Sequence, residues 1–249
     1  MTDGDLMQRV AALERELAEA RRRTTASDAL LRRVSHDLRT PLNNVFGALE
    51  IAEVQADQPE AVRRWVAVGR AAGVRLRLML DDLIAYARAT VDPGGDVVRE
   101  RVDVAAVVSA AVAEVHELAV ARDRVIDRVV HPADVDVLTD PGRLRHVLVD
   151  LLVNALARSG AGRVTVGVEA SGRTVEFTVA DESAGLTDAE QAALASTFRP
   201  DDPEPAVGPD LAITVARTLV AELGGELRFD EGGAAGRAGC TARFALPVR

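Results

Sequence analysis

The sequence predicts an α+β chain: a helical hairpin that pairs with a second copy as a four-helix bundle, followed by an α/β sandwich. Three observations carry this. Apolar residues recur at helical spacing from Leu6 to Ala87. Pro93-Gly94-Gly95 then breaks the pattern and marks a linker. Beyond residue 100, helical stretches mix with short alternating strands, as expected of one sheet covered by helices.

Taken in order, Leu6, Val10, Leu13, Leu17 and Ala20 alternate spacings of four and three with charges between them, a short coiled-coil seam assigned to residues 1–27. The hairpin occupies residues 28–92. Its first helix carries Leu31, Val34, Leu38, Leu42, Val45, Leu49 and Ala52. Ala56-Asp57-Gln58-Pro59 reads as a turn, with Pro59 at the start of the next helix. That second helix, about 60–89, repeats the stripe with Val62, Trp65, Val66, Ala72, Leu76, Leu80, Leu83 and Ala87. Two antiparallel helices cannot bury both stripes alone, so the hairpin is expected to form a homodimer.

The third segment, 100–249, opens with Asp103 capping a helix over about 104–121. Strands follow near 125–130 and 135–138. Asp140-Pro141 starts a helix that runs to about 158, and strands near 163–169 and 173–180 flank a Ser171-Gly172 turn. Thr187 and Glu190 have capping-box spacing for a helix near 188–195. Residues 197–209 carry four prolines and read as a loop. A helix over 211–223 ends at Gly224-Gly225, and strands near 226–230 and 240–246 complete the pattern.

Composition narrows the function. A net charge of −9 argues against a general nucleic-acid binder, which needs surplus Lys and Arg. Arg21-Arg22-Arg23 follows several Glu residues and reads as a solvated helix face. Cys240 is the single cysteine, so neither an internal disulfide nor a cysteine metal site is available. No apolar run approaches the ~20 residues that cross a bilayer, and the polar start does not read as a signal peptide. The expectation is a cytoplasmic chain without direct membrane insertion.

One run demands a chemical explanation: Ser35-His36-Asp37-Leu38-Arg39-Thr40-Pro41-Leu42. Leu38 and Leu42 continue the apolar stripe, whereas His36 and Asp37 fall off it towards solvent. Thr40 lies one turn from His36, on the same side. Pro41 in a helix interior removes a backbone bond and crowds the carbonyl of Asp37, which should kink the helix. Asp37 can take the proton of one ring nitrogen of His36, leaving the other to attack a phosphoryl group. His116, His131 and His146 read as ordinary, and no pair of them has metal-ligand spacing.

This run closely resembles the H-box of bacterial sensor histidine kinases, and the resemblance covers about residues 28–90. It implies that His36 takes phosphate from ATP and passes it to an aspartate on a response-regulator receiver domain. It further implies that Asp37 is the base and that Thr40 positions water in the reverse, phosphatase reaction.

Residues 100–249 resemble the GHKL-type ATP-binding domain that follows the hairpin in these kinases, with uneven motifs. The stretch Asp140 to Ala155 is similar to the N-box. The resemblance makes Asn154 the magnesium ligand, puts Asp150, still an oxygen ligand for the cofactor, where an earlier asparagine stands, and leaves Ala157 in place of a lysine. Arg158 is adjacent but about 100° around the helix, which puts the usual phosphate contact in doubt. Asp181 stands where the family's carboxylate accepts from the adenine amino group. Gly185 is kept, while Ser183 replaces a glycine and takes φ > 0 less freely. In the last glycine box, Ala206-Val207-Gly208-Pro209-Asp210, only Gly208 survives of three glycines. Pro209 offers no amide, and Asp210 as an N-cap would occupy the anion seat. Two charges ~4 Å apart at an effective dielectric of ~20 repel by ~4 kcal/mol. Three readings follow: an active histidine kinase using ATP and magnesium; a degenerate member with weak ATP binding that acts as a phosphotransferase or phosphatase for a receiver; or a non-catalytic dimeric docking scaffold.

Overall fold

In a computed structural model, residues 35–91, 97–131, 136–159, 162–185, 187, 211–236 and 238–248 are described. The coiled-coil seam expected over 1–27, the Pro93-Gly94-Gly95 linker, the helix near 188–195 and the loop at 197–209 lie outside them.

Helix α1 covers residues 35–54, and α2 is Pro59–Val91. Pro59 occupies the first helical position, where its missing N–H costs nothing. The Trp65 indole N–H donates to Gln55 Oε1 across the turn at 3.2 Å. A small pair sets the helix spacing: a Cβ added to Gly69 would lie 3.4 Å from that of Ala48, which is buried. Helix α1 continues through Pro41, which is itself buried. Part of each stripe and its apolar neighbours stay open. Leu42, Phe46, Leu49, Leu80 and Ile84 are exposed, with Phe46 at 57%.

The second unit contains β1 (Glu100–Asp103), α3 (Val104–Ala121), β2 (Ile126–His131), β3 (Asp136–Thr139), α4 (Pro141–Arg158), β4 (Val164–Ser171), β5 (Thr174–Asp181), α5 (Leu211–Leu223), β6 (Arg228–Glu231) and β7 (Cys240–Pro247). Five strands form one sheet in the order β2-β4-β5-β7-β6, with β2 parallel to β4 and the other pairs antiparallel. Strand β1 was not expected from sequence. It has four residues, of which only Val102 is buried, and it pairs antiparallel with β3 as a separate ribbon. Too short to show an alternation, it is specified by its partner.

The caps are those the sequence implied. Asp103 accepts from Ala106 N at 3.1 Å to start α3, and Asp140 accepts from Arg143 N at 3.0 Å to start α4. Between sheet and helices, Phe177 and Phe244 sit opposite each other in register and stack at 4.9 Å. On the other face, a Cβ on Gly167 would lie 2.3 Å from Thr178 Oγ1, its register partner's hydroxyl.

Helix α3 corrects one expectation. It has 18 residues and a mean hydropathy of 1.7, enough by length and composition to cross a membrane. Its apolar character is that of a core helix: Val104, Val108, Ala111, Val115 and Leu118 are buried in the domain. Its charged residues meet the hairpin. Glu117 pairs with Arg70 of α2, and Glu114 pairs with Arg77 of α2 at 2.9 Å and with Arg145 of α4. Burial pushes the Glu114 carboxyl up, but these two guanidinium groups outweigh it and hold the group below the usual carboxylate value. The pairing therefore stabilises docking above the ordinary carboxylate pKa and is lost as pH falls through the lowered value. Ala71 and Leu78 of α2 join the same apolar cluster as α3, α4, α5 and the sheet.

Leu148 of α4 is fully buried in that cluster. Replacing it with Ala should destabilise the protein by about 2–5 kcal/mol. Urea unfolding should show a lower midpoint with an unchanged slope.

Candidate active site

His36 and Asp37 leave the apolar stripe of α1, as their positions in the helical repeat require. The His36 side chain is 78% exposed, and its Nδ1 lies 3.1 Å from Asp37 Oδ1. A carboxylate can only accept, so this contact assigns the proton to Nδ1 and leaves the Nε2 lone pair towards solvent. Thr40 is exposed one turn further on. The group is thus a solvent-facing nucleophilic nitrogen with a carboxylate ready to take its ring proton.

The second group of residues is gathered at the C-terminal half of α4 and the end of β5. Asp181 is buried. Its Oδ1 accepts from Ser183 N at 3.0 Å and from Cys240 N at 3.1 Å. Its Oδ2 faces Arg158 Nε at 3.4 Å, and Arg158 Nη2 donates to the Gly185 carbonyl at 2.7 Å. Arg158 therefore reaches the carboxylate at the end of β5, a position its place on the helix wheel did not reveal. Gly185 has φ +94°, the left-handed region that favours glycine. Ser183 has no positive φ, and its hydroxyl accepts from Gly185 N at 3.3 Å. The serine thus suits this turn, contrary to the strain expected of it. Gly239 packs over the same strand end: a Cβ there would lie 1.9 Å from the Asp181 carbonyl oxygen.

Asn154 is half-buried on α4, one turn beyond Asp150. Asp150 is buried and lies 3.6 Å from His146 Nε2, which is also 2.8 Å from Oδ1 of the buried Asp82 on α2. Sequence reading set His146 aside as ordinary. The four-residue spacing of His146 and Asp150 was a signal that they share a helix face. Nothing local pointed to Asp82, which folding brings in from the hairpin. Gly208, Pro209 and Asp210 lie outside the described residues.

Asn154 offers the oxygen that a magnesium ion prefers. The Asp181 carboxylate accepts from two backbone amides through Oδ1 and faces the Arg158 guanidinium through Oδ2.

Two family models match the chain. The His Kinase A (phospho-acceptor) domain matches residues 26–91, and the histidine kinase-, DNA gyrase B- and HSP90-like ATPase matches residues 139–249. Together they account for most of the sequence. The chain carries the two domains of a two-component histidine kinase core. The first match contains α1 and α2 and therefore His36; the second begins one residue before the Asp140 cap and contains Asn154, Arg158 and Asp181. Among relatives, the virulence sensor protein BvgS of Bordetella bronchiseptica is 30% identical over 239 residues, 90% of this chain and 19% of BvgS. The sensor-like histidine kinase SenX3 of Mycolicibacterium smegmatis is 28% identical, over 92% of this chain and 60% of SenX3. The chain thus spans less than two thirds of these histidine kinases. Among solved structures, histidine kinase ThkA in complex with response regulator protein TrrA aligns with a TM-score of 0.59 at 17% identity, covering 96% of this chain and 67% of ThkA. Full-length ShkA in complex with AMPPNP aligns with a TM-score of 0.56 at 24% identity, covering 88% of this chain and 45% of ShkA. At these identities the likeness is one of fold.

Proposed function

We propose that this histidine kinase core carries a phosphoryl group on His36 and passes it to an aspartate of a response-regulator receiver domain. The observation that carries the reading is the exposed imidazole whose Nδ1 is tied to Asp37. His36 Nε2 supplies the lone pair to the terminal phosphorus of ATP. The N–P bond forms as the P–O bond to ADP breaks, and the Nδ1 proton passes to Asp37. On transfer, the receiver carboxylate attacks phosphorus, the N–P bond breaks, and the proton returns to Nδ1. Thr40, one turn away, is suited to hold a water for the reverse reaction. ThkA was solved with a response regulator protein, which supports the same class of partner here. The open apolar face of Leu42, Phe46, Leu49, Leu80 and Ile84 supports a homodimer through the hairpin, as the uncovered stripes require.

A second reading concerns ATP, for which the domain family and the AMPPNP complex of ShkA are the support. Arg158 on Asp181 favours weak binding. The guanidinium competes with adenine for the same carboxylate, so a nucleotide must break that pair before it can settle. Magnesium, if used, would take Asn154 as its protein ligand. Under this reading, the chain works mainly on phosphate received from a receiver or returned to one.

Three outcomes follow. His36→Gln should abolish acid-labile labelling from either ATP or a phosphorylated receiver; label that persists would overturn the assignment. Light scattering should give twice the 26.4 kDa of one chain, and Phe46→Arg should give the single mass by placing a charge in the bundle. Arg158→Ala should tighten Mg-ATP-analogue binding about tenfold, ~1.4 kcal/mol, by calorimetry. Weaker binding by that variant would mean that Arg158 grips the nucleotide instead.

A further inference from the structure

We propose that Asp82, His146 and Asp150 form a binding site for a divalent transition metal of the zinc class, which fastens α2 of the hairpin to α4 of the ATPase-type domain. The inference stands apart from the phosphotransfer reading and does not rest on it.

The donor set comes first. The imidazole nitrogen of His146 and one carboxylate oxygen from each aspartate lie within 4.8 Å of one another. His146 Nε2 is 2.8 Å from Asp82 Oδ1 and 3.6 Å from Asp150 Oδ1. Around a tetrahedral zinc ion, with ligand bonds of about 2.0–2.2 Å, neighbouring donors stand about 3.3 Å apart. The His146–Asp150 separation is already close to that value. The His146–Asp82 separation needs to open by about half an ångström. His146 and Asp150 are four residues apart on α4 and project from one face, the spacing by which a helix presents two ligands to one ion. Asp82 closes the set from the opposite helix.

Burial and access agree with this assignment. Asp82 is 5% exposed and Asp150 2%. His146 itself lines a crevice of about 310 Å³ between the two units, with Asp81, Glu114, Arg145 and Val149 on its other walls. Neither Asp82 nor Asp150 lines the crevice, so an ion would enter by way of His146. Of the other charged groups on its walls, Arg145 pairs with Glu114, Arg77 joins Glu114 and Asp81 from α2, and Arg88 adds a further cation. An imidazole donor selects zinc-class ions over magnesium, which prefers an octahedral oxygen shell and dehydrates reluctantly. The set shares α4 with Asn154, but its imidazole donor separates its chemistry from that of any magnesium bound there.

An ion here would bridge the two units, so its binding would favour the docked hairpin over the released one. The test uses the full chain, stripped with a chelator and free of nucleotide. Zinc titrated by calorimetry should bind once per chain with a dissociation constant on the order of micromolar or tighter. Cobalt should give the intense visible absorption of a low-coordinate site. His146→Gln and Asp82→Asn should each weaken zinc at least tenfold, and excess magnesium should not compete. Zinc should slow amide exchange in α2 around Asp82 and shield His146 of the unmutated chain from diethyl pyrocarbonate, a readout that needs no variant to fold. Absence of saturable zinc binding, or unshielded His146 at saturation, would overturn the proposal. So would full zinc affinity in Asp82→Asn, since the ion would then sit on α4 alone and fasten nothing.

Discussion

Helix α4 buries Leu144, Val147, Leu148, Leu151 and Leu152 against the sheet, α3 and α5, and most of the geometry of the second unit follows from that burial. A helix has one rotational freedom about its axis. Once an apolar face is fixed, every polar side chain on it is fixed in direction as well. The Asp140 cap and Pro141 set where the helix starts, so they set the phase. From that phase His146 and Asp150 turn towards the hairpin, and Arg158, on the last turn, reaches the end of β5. Loosening the leucine face would blur both groups together.

The hairpin stands under the opposite constraint. It has apolar stripes and no sheet to bury them. It responds in two ways. The middle of α2 lends Ala71 and Leu78 to the core of the second unit. The other face remains open through Phe46 and its neighbours. His36 lies on α1 outside the stripe, where the nitrogen that would react stays in water. An exposed nucleophile and an apolar face on one helix are compatible because they are separated around its circumference.

The end of β5 shows how a buried charge limits a site. A carboxylate as deeply buried as Asp181 needs partners, since its desolvation is costly. Two backbone amides and Arg158 supply them. The amides bond Oδ1, while Arg158 faces Oδ2 as an ion pair at 3.4 Å.

Much of this protein was legible in its sequence. Helical spacing gave α1 and α2 their faces, Asp103 and Asp140 announced their helices, and the run from Ser35 to Leu42 placed His36 beside Asp37 through neighbouring positions alone. Each of these depends on contacts within a turn or two of one helix. What tertiary structure decided lies at longer range. Strand β1 exists because β3 offers it an edge. Ser183 is unstrained because the turn it occupies is closed by Asp181 and Gly185. Arg158 finds Asp181, and Asp82 finds His146 across 64 residues, because two separately patterned units dock. Helix periodicity fixes the direction of a side chain, but what it meets depends on the packing of elements far apart in the chain.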